Sequence, residues 1–286
     1  MLRRLIAADM APLVVLTKPD ARRSRGASLG PTPVAQVAKE GGIEVVFEPE
    51  ELKDFRFELG VVVAYGRLLR EEILAQAPFV NIHFSLLPRW RGAAPVERAL
   101  LAGDKVTGVS LMEVGPGLDQ GAVFAWREVP IGSEATALSL RGELAEVGAE
   151  LLISHLETAR SAFGSPHQQA GEASYASKIT REELRIDFSR DATNIVRQVA
   201  LGGAWCLLDS LRVKILRARA FDATSVRSEV VAGATKAPPG SLVAGLVICG
   251  EGYLRIDLLQ VEGRRPTEFD AFYRGRMNLP GELRFS

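Results

Sequence analysis

Through the first half of the chain, short apolar runs alternate with stretches of helical periodicity, and several of the runs are apolar at successive positions, as in Val61-Val62-Val63. A strand with one wet face alternates apolar and polar residues. A strand apolar on both faces is one that helices cover from both sides, the arrangement of a parallel sheet. Strand-type runs fall at Leu13–Thr17, Glu44–Phe47, Gly60–Ala64, Phe79–Phe84, Gly108–Glu113 and Ala122–Val129. Helices are predicted at Leu2–Ala8, Pro33–Gly41, Arg70–Ala75, Ala93–Ala102 and Leu138–Arg160. This order predicts a doubly wound α/β domain with a mostly parallel sheet. The last helix carries Leu140, Leu144, Val147, Leu151 and Leu152 on one stripe, and is expected to lie across the sheet and close a first domain over residues 1–161.

The 286 residues suit one large or two ordinary domains. Residues 162–180 are rich in glycine, serine, proline and glutamine and read as a linker. Residues 181–286 then offer one helical segment, Ala192–Ala200, and strand-like runs at Leu211–Arg219, Ser241–Ile248 and Tyr253–Gln260, parted by glycine and proline clusters. That spacing predicts a small antiparallel barrel. Formal net charge is zero, which argues against a histone-like or disordered acidic chain. The zero hides a pattern: residues 1–40 carry a net +4, residues 41–180 a net −7 and residues 181–286 a net +3. The two cysteines, Cys206 and Cys249, and the three histidines, His83, His155 and His167, lack the close spacing of a structural zinc site, so no metal is expected. Two thiols among apolar neighbours suit a reducing, cytoplasmic setting. Asp9 and the charges from Lys18 onward break the signal-peptide pattern at the start. No run reaches the roughly 18–20 apolar residues needed to cross a bilayer, and no membrane partner is expected.

The chemistry concentrates in Val80-Asn81-Ile82-His83-Phe84-Ser85-Leu86-Leu87-Pro88-Arg89-Trp90-Arg91-Gly92. A buried strand normally avoids Asn and His, yet Asn81 and His83 stand two apart and so share a face near the strand end. In such sheets the carboxyl edge is where ligands bind. A second strand-to-loop transition, Val114-Gly115-Pro116-Gly117-Leu118-Asp119-Gln120-Gly121, delivers a carboxylate between glycines. Asn can donate to an oxyanion, His can donate or shuttle a proton, and Asp can fix the charge and tautomer of the imidazole. None of the three is a nucleophile, which favours direct attack by a substrate amine. Taken singly, each has a plainer reading: a hydrogen-bonded core histidine, a strand-capping asparagine, an aspartate in a turn.

Together, Asn81-x-His83-x-Ser85-Leu86-Leu87-Pro88-x-x-Arg91-Gly92-x-x-Pro95, followed by Leu118-Asp119-x-Gly121, resembles the signature of the folate-dependent formyltransferases. Lys18-Pro19-Asp20 with Arg25-Gly26 resembles the basic loop of the family, Tyr175-Ala176-x-Lys178-Ile179 with Glu182-Glu183 its interdomain segment, and Gln260-x-Glu262-Gly263-Arg264-Arg265 its terminal turn. The resemblance covers almost the whole chain and is nearest to members that formylate methionyl-initiator tRNA. It implies a Rossmann-like catalytic domain and an OB-like antiparallel C-terminal domain that binds tRNA.

It further implies formyl transfer from 10-formyltetrahydrofolate, a co-substrate, to the free amine of methionyl-initiator tRNA. Asn81, His83 and Asp119 would stabilise the tetrahedral intermediate. Ser85, Leu86, Leu87 and Pro88, with Arg67, Leu68, Leu69 and the backbone around Glu113–Asp119, would form the folate site. Leu87-Pro88 is a candidate cis peptide. Arg22, Arg23 and Arg25 would contact tRNA phosphates, although a solvated charge run is the plainer account of such a cluster. A monomer is expected. The family opens with a strand, a Gly-Thr-Pro turn and the start of a helix; Leu2–Ala8 matches only the end of that helix. The expectation is therefore a sequence lacking a central strand, with its start placed too late. A second departure is the shortened stretch Ala200–Cys206, where Trp205 is expected in the domain core. The alternatives are a formyltransferase for another amine, such as a sugar nucleotide, and a non-catalytic RNA-binding remnant.

Overall fold

The computed structural model describes residues 1–21, 29–158, 165–226, 237–275 and 283–286. The chain divides into two compact units, the first made of residues 1–95, 106–130 and 141–176, the second of residues 96–105, 131–140 and 177–286.

Up to residue 176 the elements are α1 (Leu2–Ala7), β1 (Val14–Leu16), α2 (Pro33–Glu40), β2 (Glu44–Val46), β3 (Gly60–Val62), α3 (Glu71–Leu74), β4 (Phe79–His83), β5 (Arg91–Gly92), α4 (Pro95–Ala102), β6 (Val106–Glu113), β7 (Val123–Pro130), α5 (Ala137–Thr158) and β8 (Tyr175–Ala176). Each strand and helix predicted here lies within two residues of its place. α2 begins where the sequence provides for it: Thr32 Oγ1 accepts the Ala35 N–H at 3.0 Å, and Pro33 takes the first helical position, where no N–H is needed. Buried Ala38 packs with Val15 and Ile43.

β1 and β2 pair in parallel, as do β3 and β4, with Val62 opposite Asn81. β6 and β7 then join antiparallel, giving the order β3-β4-β6-β7 beside a separate β1-β2 pair. α5 presses onto β4 and β6: a Cβ on Gly148 would stand 2.8 Å from Ile82 Cγ2 and 3.4 Å from Val109 Cγ1, so glycine permits that approach. Ile82 thereby faces the helix, which turns its neighbours Asn81 and His83 to the opposite face.

In the second unit, α6 (Ala192–Ala200) is capped by Asp191, whose Oδ1 accepts the N–H groups of Thr193 at 2.6 Å and Asn194 at 3.1 Å. The strands β9 (Trp205–Leu208), β10 (Leu211–Phe221), β11 (Leu242–Val243), β12 (Leu246–Ile248), β13 (Tyr253–Val261) and β14 (Thr267–Glu268) form one antiparallel sheet in the order β11-β12-β13-β10-β9, with β14 beside β13. Val213 and Ile215 point inward, then the register slips at Arg217 and Ala218 takes the inward place. Such a bulge adds a residue and bends the strand, which curls the sheet around its core.

Two expectations are corrected in this unit. Ser241–Ile248 is a hairpin, not one strand: Ala244 and Gly245 both have positive φ, 48° and 83°, the turn that reverses a chain in two residues. Trp205 is not in the core. It opens β9 half-buried, its indole N–H donates to Arg181 O at 3.2 Å, and the guanidinium groups of Arg212 and Arg185 lie 4.0 and 5.7 Å from its ring. The polar N–H and the electron-rich ring face of an indole suit this position better than an apolar interior.

Candidate active site

β4 ends at His83, and the chain turns through Ser85–Trp90 before β5. That turn is knotted from within. Ser85, fully buried, donates its hydroxyl to Arg89 O at 2.6 Å. Ser110 on β6 donates to Ser85 O at 2.7 Å and accepts the Leu87 N–H at 3.2 Å. The Leu87-Pro88 peptide is cis, as expected. Gly92 has φ 115°, and a Cβ there would meet the Ala176 carbonyl oxygen at 2.9 Å, so only glycine lets β5 run this close to β8.

Asn81, His83 and Asp119 come together. Asp119 Oδ2 accepts the Gly92 N–H at 2.7 Å and stands 3.7 Å from His83 Nδ1, while Asp119 Oδ1 lies 3.4 Å from Asn81 Nδ2. Asp119 itself has φ 51°, a conformation Asp tolerates better than most side chains, and its side chain retains 14% exposure against 6% for His83. On its far side, His83 Nε2 lies 2.8 Å from the Trp90 carbonyl oxygen. A carbonyl only accepts, so Nε2 carries a hydrogen, and Nδ1 is left as the nitrogen that exchanges a proton. The site therefore presents an amide N–H donor, a proton-exchanging nitrogen and a carboxylate around one point.

Of the residues assigned to folate, Ser85 to Pro88 form the turn just described. Arg67, Leu68 and Leu69 follow β3. The Arg67 guanidinium pairs with Glu48 at 3.1 Å, Leu68 is 88% exposed, and Leu69 packs in one cluster with Val114. Leu69 and Val114 both pack against the buried cluster of Val46, Leu52, Ile73 and Phe79; in the Glu113–Asp119 loop Leu118 is also exposed and the space above Gly115 is open. Exposed leucines beside a stretch of loop backbone suit a flat ring with many donors and acceptors. Arg22, Arg23 and Arg25 lie outside the described residues; Ala21 and Gly30, on either side of them, form an antiparallel bridge. The Trp90 carbonyl, Ser110 and Gln169 hydrogen-bond to the site residues and their loops, and nothing in their sequence context marks them. Arg91 was legible as part of the motif.

Residues 7–156 match the formyl transferase family model and residues 178–277 the model of the formyl transferase C-terminal domain. The chain belongs to the formyl transferase family. It is 41% identical over 281 residues to the methionyl-tRNA formyltransferase of Methylococcus capsulatus, covering 92% of this chain and 89% of the relative. It is 39% identical to that of Paracoccus denitrificans, covering 98% and 94%. Within the family, these relatives place it among the methionyl-tRNA formyltransferases. Solved structures share the fold. The methionyl-tRNA formyltransferase from Clostridium thermocellum has a TM-score of 0.52 at 19% identity, over 72% of this chain and 92% of that one. The N-formyltransferase from Helicobacter canadensis, in complex with folinic acid and dTDP-3-aminofucose, has a TM-score of 0.63 at 16% identity, over 89% and 93%. HypX from Aquifex aeolicus, in complex with tetrahydrofolic acid, has a TM-score of 0.61 at 21% identity, over 83% of this chain but 43% of that one.

Proposed function

We propose that this chain transfers a formyl group from 10-formyltetrahydrofolate to the α-amine of methionyl-initiator tRNA, with Asn81, His83 and Asp119 as the reacting constellation. The observation that carries the reading is the convergence of these three residues, from two distant segments, on one point between β4 and the Glu113–Asp119 loop. The folate, bound against Leu68, Leu69, Leu118 and the Ser85–Pro88 turn, would supply the formyl carbon.

Asn81 Nδ2 donates to the oxygen on which negative charge develops as the amine adds. His83 takes the amine proton at Nδ1, since Trp90 holds a hydrogen on Nε2. The resulting imidazolium faces Asp119, whose charge favours it, and Nδ1 then returns the proton to the departing folate nitrogen. The 3.7 Å between Nδ1 and the carboxylate exceeds a hydrogen bond and leaves room for the proton to pass to a substrate atom or a water. Arg22, Arg23 and Arg25 would hold tRNA phosphates, with the net-basic residues 181–286 assisting.

The test is transfer of labelled formyl from 10-formyltetrahydrofolate to methionyl-initiator tRNA, with His83→Ala beside the unaltered chain. The expected result is transfer that the variant loses by about 10²-fold or more. Full activity in the variant would overturn the catalytic assignment, and transfer only to a sugar-nucleotide amine would overturn the tRNA substrate.

A further inference from the structure

The segment read as a linker lies across both loops of the site. His167 and Val123 exchange backbone hydrogen bonds of 2.8 Å in each direction, which brings residue 169 opposite residue 121. There the amide of Gln169 is fully used. Its Nε2 donates to the carbonyl oxygens of Asp119 at 2.9 Å and Gly121 at 2.8 Å, and its Oε1 accepts from Arg91 Nε at 3.0 Å and Arg91 Nη2 at 2.6 Å. A primary amide has two N–H donors and one oxygen with two lone pairs, so all its capacity goes into this contact. Five residues on, the same segment fastens the other loop. Ser174 Oγ accepts the Trp90 N–H at 2.9 Å, Ser174 O accepts the Arg91 N–H at 2.8 Å, and Ser174 N donates to Pro88 O at 3.2 Å.

We infer that Gln169 is a positioning residue for formyl transfer. One side chain fixes the backbone of Asp119 and, through Arg91, the segment whose Gly92 N–H holds the Asp119 carboxylate. The separation of Asp119 from His83 and Asn81 is then set by a residue that touches none of the reacting atoms. A charge-assisted pair from Arg91 to the amide oxygen polarises the amide and strengthens its donation to the two carbonyls. The inference rests on the reading of Asp119 and His83 as reacting groups.

The experiment compares Gln169→Met, which keeps the volume and removes all four bonds, with Gln169→Glu, which keeps the pairing to Arg91 and loses both donations. Turnover is measured on methionyl-initiator tRNA and 10-formyltetrahydrofolate, per folate-binding site titrated, so that unfolded chains do not count. Both variants are expected to lose about ten- to hundredfold in kcat, because a misplacement of about 1 Å is enough for such a loss. Both KM values should stay within about twofold. A purely structural clamp would lower the melting temperature and leave kcat per site unchanged, and that result overturns the inference. Asp119→Asn is run alongside. If it keeps turnover, the reading of the site is wrong; if it loses turnover while both Gln169 variants retain it, only the positioning role is wrong.

Discussion

The Asp119 carboxylate stands 3.7 Å from His83 Nδ1, and neither group owes its place to the other. His83 is held from behind by the Trp90 carbonyl and Asp119 from the side by the Gly92 N–H. That distance is too long for a direct hydrogen bond, so in the proposed reaction the carboxylate would act by charge. Asp119→Asn should leave the imidazole in place and remove the charge that favours its protonated form. A loss of about 10²–10⁴-fold in kcat with folate affinity retained is the expected outcome. Single-turnover formylation and folate titration by fluorescence measure the two quantities separately, and a loss confined to folate binding would count against the role given to the charge.

Ser110 offers a second handle. It is buried, and its hydroxyl is at once donor to Ser85 O and acceptor from Leu87 N. Ser110→Ala leaves both backbone groups without that partner, at a cost of about 1–3 kcal/mol. That corresponds to a melting temperature lower by about 2–12 °C. Because the turn it secures carries the Ser85–Pro88 wall, the folate KM should rise more than kcat falls. An unchanged melting curve would show that water replaces the hydroxyl.

How much of this was legible in the sequence follows from which interactions are local. The strand–helix alternation is written in apolar periodicity, and Asn81 and His83 were conspicuous because a polar pair in a buried strand is costly unless used. β9 is hard to read from the sequence for a physical reason. Its hairpin to β10 turns on Asp209 and Ser210, both at positive φ, 50° and 66°, without the glycine that usually marks such a turn. Ala244-Gly245 carries half that signal, inside an apolar run that conceals it. Gln169 was invisible for another reason: its partners lie 48 to 78 residues away, and a glutamine in a polar stretch has no periodicity to betray it. The same polar composition that reads as a linker is what lets the segment hydrogen-bond to two loops at once.

The basic loop makes a prediction that separates a tRNA contact from a solvated charge run. Each phosphate contact releases counterions, and three contacts from Arg22, Arg23 and Arg25 would contribute about 2–3 to the slope of log affinity against log salt. Replacing all three by alanine should flatten the slope by that amount and raise the tRNA KM, while the folate KM holds. Filter binding of methionyl-initiator tRNA across a salt series measures it. An unchanged slope returns the arginines to the solvent.

The two thiols predict an alkaline limit to stability. Burial pushes Cys206 up to about 12, and burial together with the nearby Asp191 charge pushes Cys249 up to about 12. An unfolded thiol titrates near 8.5. A raised pKa in the folded state means that, above about 8.5, the unfolded chain gives up a proton that the folded chain keeps. The contribution is therefore intact below the unfolded value and is lost as pH rises toward 12. For Cys206, fully buried on β9 of the second unit, the loss is about 1.4 kcal/mol per pH unit within that window, or about 2 kcal/mol between pH 8.5 and 10. Lysines and tyrosines titrate there too, so the measurement is a difference: urea unfolding at several pH values for the unaltered chain and for Cys206→Ala. The variant should start less stable and decline with pH less steeply by one proton. Parallel declines would mean that the thiol is ionised, or reached by water, in the folded state.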